Sequence, residues 1–326
     1  MSNRKIVVTR AWPKDAEDHL VAQGLGDVTL RHPDTPMSAD EFMTAAETCD
    51  VIMPTVSDKI PAEFYPAAKG RVKIMANYGV GFNHIDIEAA RANDIAVTNT
   101  PDVLTDCTAD LAMGLMLTAA RRIGEGERET RAGNWAGWRP THMIGKKVTG
   151  ATLGIIGFGR IGQAMARRAH NGFGMRVVFQ DAWSVPDDIK IQNGNAEQLG
   201  SMAEVAAQAD FLSLHMPGGA DTYKMINADV FDALKPGAIL VNSARGDVVD
   251  EDALFAALDA GQLSAAGLDV FHNEPALDPR FMDYDNIVLA PHLGSATDGT
   301  RVGMGYRAID NLVAYLNGET PGDLVT

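Results

Sequence analysis

The sequence predicts an α/β protein built from two doubly wound, parallel-sheet domains. Three observations predict it. Short apolar runs alternate with amphipathic stretches along the whole chain, the signature of βα units. The length of 326 residues is too great for one ordinary core and suits two. A glycine-rich strand–turn–helix lies in mid-chain, so one domain is under way before it begins.

In the first hundred residues the candidate strands are Lys5–Thr9, Val28–Arg31, Asp50–Pro54, Val72–Asn77 and Ile95–Asn99. Helical spacing of apolar residues falls between them at Asp15–Gln23, Ala39–Thr48 and Ile85–Asn93. A second series starts near Ala151. Its strands are expected at Thr152–Ile156, Arg176–Gln180, Phe211–His215, Ala238–Asn242, Ala265–Val270 and Ile287–Ala290. Its helices are expected at Arg160–Ala169, Met202–Ala207 and Glu251–Ala260. Six strands with helices between them make a complete dinucleotide-binding domain. Two further helices, Asp106–Arg121 and Ala296–Leu316, link the halves. The first reads as an apolar core helix, and the second could return the chain to the first domain. Two crossings would put a cleft, and with it a ligand site, between the domains.

Composition narrows the function. Hydrophobic residues make up 46% and charged residues 22%, as in ordinary globular chains. No apolar run approaches the roughly 20 residues of a membrane span. The run Ile6-Val7-Val8 is too short for a signal peptide and reads as a first strand. Two cysteines, Cys49 and Cys107, lack metal-type spacing and argue for a reducing cytoplasm. The formal charge of −15 argues against nucleic acid and acidic membranes as partners. It would also repel an anionic substrate, so a site for one needs a local cation.

The turn Gly157-Phe158-Gly159-Arg160-Ile161-Gly162 has the context that a bare glycine pattern lacks. An apolar strand enters it and a one-faced helix leaves it. Gly157 permits the tight turn, Gly159 lets backbone approach a pyrophosphate, and Gly162 allows helix and strand to pack closely. The helix N-terminus then faces the anion. Asp181 ends the next strand. Its carboxylate can accept from the adenosine ribose hydroxyls and would repel a 2′-phosphate. NAD(H) is therefore favoured, with NADP(H) left open.

Three ionisable residues stand at or beyond later strand ends: Arg245, Glu274 and His292. Ligands of open parallel sheets bind outside those ends. Reducing a ketone takes a hydride on carbon and a proton on oxygen. A histidine suits the proton, a neighbouring carboxylate raises its basicity, and an arginine offers a planar cationic fork. The other histidines (His19, His32, His84, His142, His170, His215 and His272) read as structural, except that His215 could border the adenosine.

With these residues in view, the chain resembles the D-isomer-specific 2-hydroxyacid dehydrogenases over essentially its whole length. The resemblance rests on Asn77–Asp86, Thr108-Ala109-Asp110, the glycine turn, Asn242–Asp247, Gly267–Pro275 and Pro291–Ala296. It implies a Rossmann dinucleotide-binding domain over 100–292, inserted into a flavodoxin-like substrate domain made of 1–99 and 293–326. It implies His292 as general acid in reduction and base in oxidation, Glu274 as its partner, and Arg245 on the 2-keto acid. It implies substrate-carboxylate donors at Val80 and Gly81, with Thr108 near the cofactor. Asp269 would meet the nicotinamide carboxamide, and Arg160 and Ile161 would meet the pyrophosphate. A homodimer is implied as well. Trp138 would either reach the partner's active site or simply pack the dimer. The Tyr78–Asn83 loop and the tryptophan-rich segment Asn134–Pro140 look most like glyoxylate/hydroxypyruvate reductases. Glu274 stands where formate dehydrogenases have Gln. The chain ends soon after its closing helix, unlike the many phosphoglycerate dehydrogenases with an added regulatory domain. A D-lactate-type enzyme stays open within the family. So does an NAD(H)-sensing co-repressor outside catalysis, although the short termini argue against it.

Overall fold

The computed structural model describes residues 4–326. Its chain forms two compact units, one running up to Leu104 and resuming over Ser295–Thr326, the other spanning Thr105–Gly294.

The first unit holds strands β1 (Lys5–Val8), β2 (Asp27–Thr29), β3 (Val51–Met53), β4 (Ile74–Ala76) and β5 (Ala96–Thr98). They form a parallel sheet in the order β2-β1-β3-β4-β5. Helices α1 (Lys14–Ala22), α2 (Ala39–Thr48), α3 (Phe64–Ala68) and α4 (Ile87–Ala92) connect them. Ser38 caps α2 reciprocally with Glu41, satisfying N–H groups at the helix start. The order reverses between β1 and β3, the topological switch of a doubly wound sheet.

The second unit opens with α5 (Thr105–Ala120) and α6 (Ile123–Arg131). Strands β6 (Thr152–Ile156), β7 (Arg176–Gln180), β8 (Glu197–Gln198), β9 (Phe211–Leu214), β10 (Ala238–Asn242), β11 (Leu263–Leu268) and β12 (Ile287–Leu289) follow. Between them lie α7 (Arg160–Phe173), α8 (Asp187–Gln192), α9 (Met202–Gln208), α10 (Ala228–Ala233) and α11 (Glu251–Asp259). The sheet is parallel, in the order β12-β11-β10-β9-β6-β7-β8. Its central strands are buried on both faces, and so read as apolar runs without alternation.

Helix α5 is the core helix its composition predicts. Ala109, Ala112, Leu115, Met116 and Ala120 are buried, and it packs on α7, β10 and β11. Each large side chain so buried contributes about 1.5–3 kcal/mol over its exposed state. The last helix, α12 (Asp298–Leu316), belongs to the first unit and packs on α1 and β4. Met304, Ala308, Ile309 and Leu312 join Ile6, Val8 and Leu20 in one core. The Tyr78 hydroxyl donates to the Arg301 carbonyl at 2.5 Å, fastening the helix above β4.

Several elements depart from expectation. Strand β11 begins and ends two residues earlier, and β8 was not predicted. Helices α3, α6, α8 and α10 were not predicted either. Helix α3 has five residues with Pro66 among them, and α6 carries two glycines with no buried residue. Neither presents an apolar period; tertiary packing and local bonds decide them instead.

Candidate active site

The site is built from the glycine turn outward. Strand β6 delivers the chain to Gly157, where φ is +89° and a Cβ would come within 2.7 Å of the His215 carbonyl carbon. A Cβ on Gly162 would sit 2.3 Å from the Gly157 carbonyl oxygen, so α7 starts against the strand end only because that position is glycine. Gly159 caps α7 and faces open space. Arg160 and Ile161 open the helix, where N–H groups point along the axis toward any anion.

Asp181 is the knot of this region. Its Oδ2 accepts from the Phe158 N–H at 2.6 Å and its Oδ1 from the Trp183 N–H at 3.0 Å. Each carboxylate oxygen keeps a further acceptor site, so two ribose hydroxyls can still be taken. His215 follows β9, and its Nε2 lies 2.9 Å from the Ser213 hydroxyl. Burial pushes its pKa down to about 4, which leaves the ring neutral at pH 7.

Among the described residues, the sealed polar atoms that lack a protein partner include three of this unit: His215 Nδ1, Ser243 Oγ and Asp247 Oδ1. An unsatisfied buried group costs about 1–3 kcal/mol. All three belong to segments leaving β9 and β10, where a doubly wound sheet takes its ligand. A turn that only glycine can make, a helix start beyond it, a ribose-competent carboxylate and these orphaned atoms fit a dinucleotide.

The catalytic candidates lie in the same unit. The Asn242 side chain fixes the loop carrying Arg245, donating to the Arg245 carbonyl at 2.9 Å and accepting from the Ala244 N–H at 3.0 Å. Arg245 is half-buried, and its Nη1 donates to the Ala244 carbonyl at 2.6 Å. Burial pushes its pKa down, opposed by Glu274 and Asp247. Arginine is not deprotonated in proteins, so the guanidinium remains a cation.

Glu274 and His292 are joined. His292 Nδ1 lies 2.7 Å from Glu274 Oε2, and Glu274 Oε1 accepts from the Phe271 N–H at 2.9 Å. Burial alone would raise the Glu274 pKa. The bond and charge of His292, the Phe271 N–H and the Arg245 charge outweigh it and hold the carboxyl below its ordinary value. An ionised carboxylate only accepts, so Nδ1 carries the proton in this pair and Nε2 is the outward nitrogen. Arg245 reaches Glu274 through charge rather than through a hydrogen bond.

The backbone around His292 is itself held. His292 has φ +55°, and its N–H donates to the Asp269 carbonyl at 3.0 Å. Asp269, 1% exposed, accepts from Leu293 N–H at 2.6 Å and Gly294 N–H at 2.8 Å. Buried Thr108 donates to the Gly294 carbonyl at 3.1 Å. Asp269 and Thr108, expected beside the cofactor, thus brace the turn that presents the histidine. Burial pushes the Asp269 pKa up, against the Leu293 N–H, the His292 charge and the Gly294 N–H.

Val80 and Gly81 belong to the first unit. Their carbonyls are tied inward, Val80 O to Asn99 Nδ2 at 2.8 Å and Gly81 O to Asn77 Nδ2 at 3.0 Å. Among the described residues no hydrogen bond uses the Val80 or Gly81 N–H. Sequence reasoning missed Asn77, Asn99 and Asn242, the side chains that shape these loops. For Asn77 and Asn242 the signal available was an asparagine at or just past a strand end with glycine a few residues on; Asn99 has no such glycine. Trp138 is 82% exposed and Trp135 is 56% exposed, in the segment after α6.

Known proteins resemble this chain in sequence and in fold. Residues 113–294 match the family model for the NAD binding domain of D-isomer specific 2-hydroxyacid dehydrogenases. The chain belongs to that family. The glyoxylate reductase of Thermococcus onnurineus is 41% identical over 325 residues, covering 98% of this chain and 95% of its own. The glycerate dehydrogenase of Hyphomicrobium methylovorum is 38% identical, with 98% of both chains covered. Among solved structures, the NADPH-dependent glyoxylate/hydroxypyruvate reductase of Sinorhizobium meliloti, with NADP and malonate bound, superposes at a TM-score of 0.88. It is 32% identical and covers 100% of this chain and 97% of its own. This 2-hydroxyacid dehydrogenase is thus an oxidoreductase with a NAD-binding domain and a second α/β unit. Among its described residues, no helix is long and apolar enough to cross a membrane.

Proposed function

We propose that this dehydrogenase reduces a small 2-keto acid, glyoxylate or hydroxypyruvate foremost, to the D-2-hydroxy acid with NADH. The observation that carries the reading is the 2.7 Å pair of His292 and Glu274, in the unit that carries the dinucleotide turn and with Arg245 in electrostatic reach. A bound nicotinamide would supply or accept the hydride. His292 Nε2–H donates the proton to the keto oxygen, and Glu274 stabilises the imidazolium before transfer. Arg245 holds the keto acid and stabilises charge growing on its oxygen. Val80 and Gly81 offer unengaged N–H groups for a carboxylate. Gly157, Gly159, Arg160, Ile161, Gly162, Thr108, Asp181, His215 and Asp269 make up the proposed cofactor set. A homodimer is proposed through α6 and the segment after it. Exposed Ile123, Trp135, Trp138 and Ile144 give a second copy aromatic and aliphatic side chains to cover. Trp138 is placed among the substrate-binding residues on the family resemblance. A cytoplasmic site of action accords with the two free cysteines.

A panel of glyoxylate, hydroxypyruvate and pyruvate, each with NADH and NADPH, tests the assignment. Glyoxylate or hydroxypyruvate should give the highest kcat/KM; pyruvate at the top would make the enzyme D-lactate-type. Tight NADH binding without turnover of any keto acid would favour a sensor role and sink the catalytic one.

Two substitutions extend the test. In Glu274→Gln the charge behind the histidine is gone, so the alkaline limb of the reduction rate moves to lower pH. Each unit of movement costs about tenfold in rate at a fixed pH above the limb. In the wild type the Glu274 pKa is depressed, so the acid limb that protonates this carboxyl lies below the ordinary glutamate value near 4.3. A pH–kcat profile unchanged by the substitution would reject the pairing. Asp181→Ala should raise the NADPH-to-NADH ratio of kcat/KM by about tenfold or more, since a like-charge contact costs several kcal/mol. It also releases the Phe158 and Trp183 N–H groups, so KM for NADH should rise as well. An unchanged ratio would place cofactor selection elsewhere.

A further inference from the structure

Immediately beyond Asp181 stands a large apolar side chain that the catalytic scheme does not use. Trp183 is 79% exposed, though indole is among the costliest groups to leave in water. A single exposed aromatic needs no explanation by itself. The backbone that presents this one is unusually well fastened. Its N–H donates to Asp181 Oδ1 at 3.0 Å. Its carbonyl accepts from Gln198 Nε2 at 2.7 Å, while Gln198 Oε1 accepts from the Val185 N–H at 3.0 Å. Gln198, on the two-residue edge strand β8, thus spends both ends of its amide on the backbone of Trp183 and of Val185. The same Asp181 carboxylate reaches back to Phe158 in the glycine turn. Phe158 in turn stacks on Phe179 with ring centroids 3.8 Å apart, so this part of the site is rigid beneath the surface.

From this geometry we infer that Trp183 is the aromatic wall of the adenosine subsite, and that its indole stacks on the adenine of the bound dinucleotide. The inference rests on the dinucleotide reading of the glycine turn and Asp181. One carboxylate binds the ribose and fixes the tryptophan backbone, so ribose and base recognition share a single anchor. Residues 180–186 read Gln-Asp-Ala-Trp-Ser-Val-Pro and contain no cation. Contact with the base there is apolar and through the π face, and every base presents such a face. Because Gln198 and Asp181 already hold the loop, little ordering is left to be lost when the cofactor arrives.

The test is direct titration of the purified full chain with NADH and with ADP-ribose, which lacks the nicotinamide, read by tryptophan emission and by calorimetry. ADP-ribose should quench wild-type emission, and Trp183→Phe should lose that quenching although Trp12, Trp135 and Trp138 remain. Trp183→Ala should raise Kd for both ligands about 5- to 160-fold, the range of base–aromatic stacking, and Trp183→Phe should fall between. Equal Kd values in wild type and Trp183→Ala, or undiminished quenching in Trp183→Phe, would overturn the stacking role while leaving dinucleotide binding intact. Failure of the wild type to bind either ligand would overturn the dinucleotide reading and the stacking role together. Circular dichroism of both variants should match the wild type, as expected for a side chain so exposed.

Discussion

Replacing His292 with alanine lowers kcat for keto-acid reduction by about 10²–10⁴-fold, the usual weight of a positioned general acid. The Kd for NADH stays within about twofold. The separation of the two effects follows from how the turn is held. Its supports are backbone groups: the His292 N–H on the Asp269 carbonyl, and the Leu293 and Gly294 N–H groups on the Asp269 carboxylate. Alanine keeps every one of them. The φ of +55° is one that histidine adopts more readily than alanine, so the substitution adds a modest backbone cost, which these three bonds oppose. Glu274 loses its partner but keeps the Phe271 N–H. What disappears is the proton on Nε2. Steady-state rates and a calorimetric NADH titration check this. Loss of NADH affinity in parallel with kcat would show that His292 acts on structure rather than on the proton.

Replacing Arg245 with lysine lowers kcat/KM for the keto acid by about 10²–10³-fold, the scale of losing one preorganised donor at a developing oxyanion. Charge is formally conserved, so the loss measures geometry. The guanidinium is planar, with one Nη already committed to the Ala244 carbonyl, which leaves the rest of the fork aimed and rigid. An ammonium is a point charge on a flexible stem and can replace only one of these bonds. The burial that pushes Arg245 down would act on lysine from a starting value near 10.4, closer to losing its charge. Activity of Arg245→Lys within about threefold of wild type would rule out bidentate recognition. Added guanidinium ion restoring rate to an alanine variant would support it.

Much of this architecture can be read from pattern, and the exceptions share a cause. Strands such as Thr152–Ile156 and Ala238–Asn242 are continuous apolar runs bounded by turn residues, and their bounds match the structure. Helix α7 outruns its expected end because the chain remains helical to Gly174, whose left-handed φ of +59° closes it. The two polar residues of β8 carry no periodic signal and pair only because β7 is beside them. The chemistry of Arg245, Glu274 and His292 follows from residue type at strand ends together with family motifs. Their support does not. That Asp269 braces the histidine turn, or that Asn242 ties down the arginine loop, depends on distances set by the folded chain. The positive φ of His292 is equally hidden, since no glycine marks it.

The discontinuous first unit has a consequence for biosynthesis. Residues Thr105–Gly294 are contiguous and can close their core as soon as they have emerged. The β1–β5 sheet cannot, because Met304, Ile309 and Leu312 of its core lie at the far end of the chain. At about 5–20 residues per second, the segment synthesised first waits some 10–40 s for the helix that completes it. During that interval Ile6, Val8 and Leu20 lack their final partners, and the nascent N-terminal third is the stretch most in need of a chaperone.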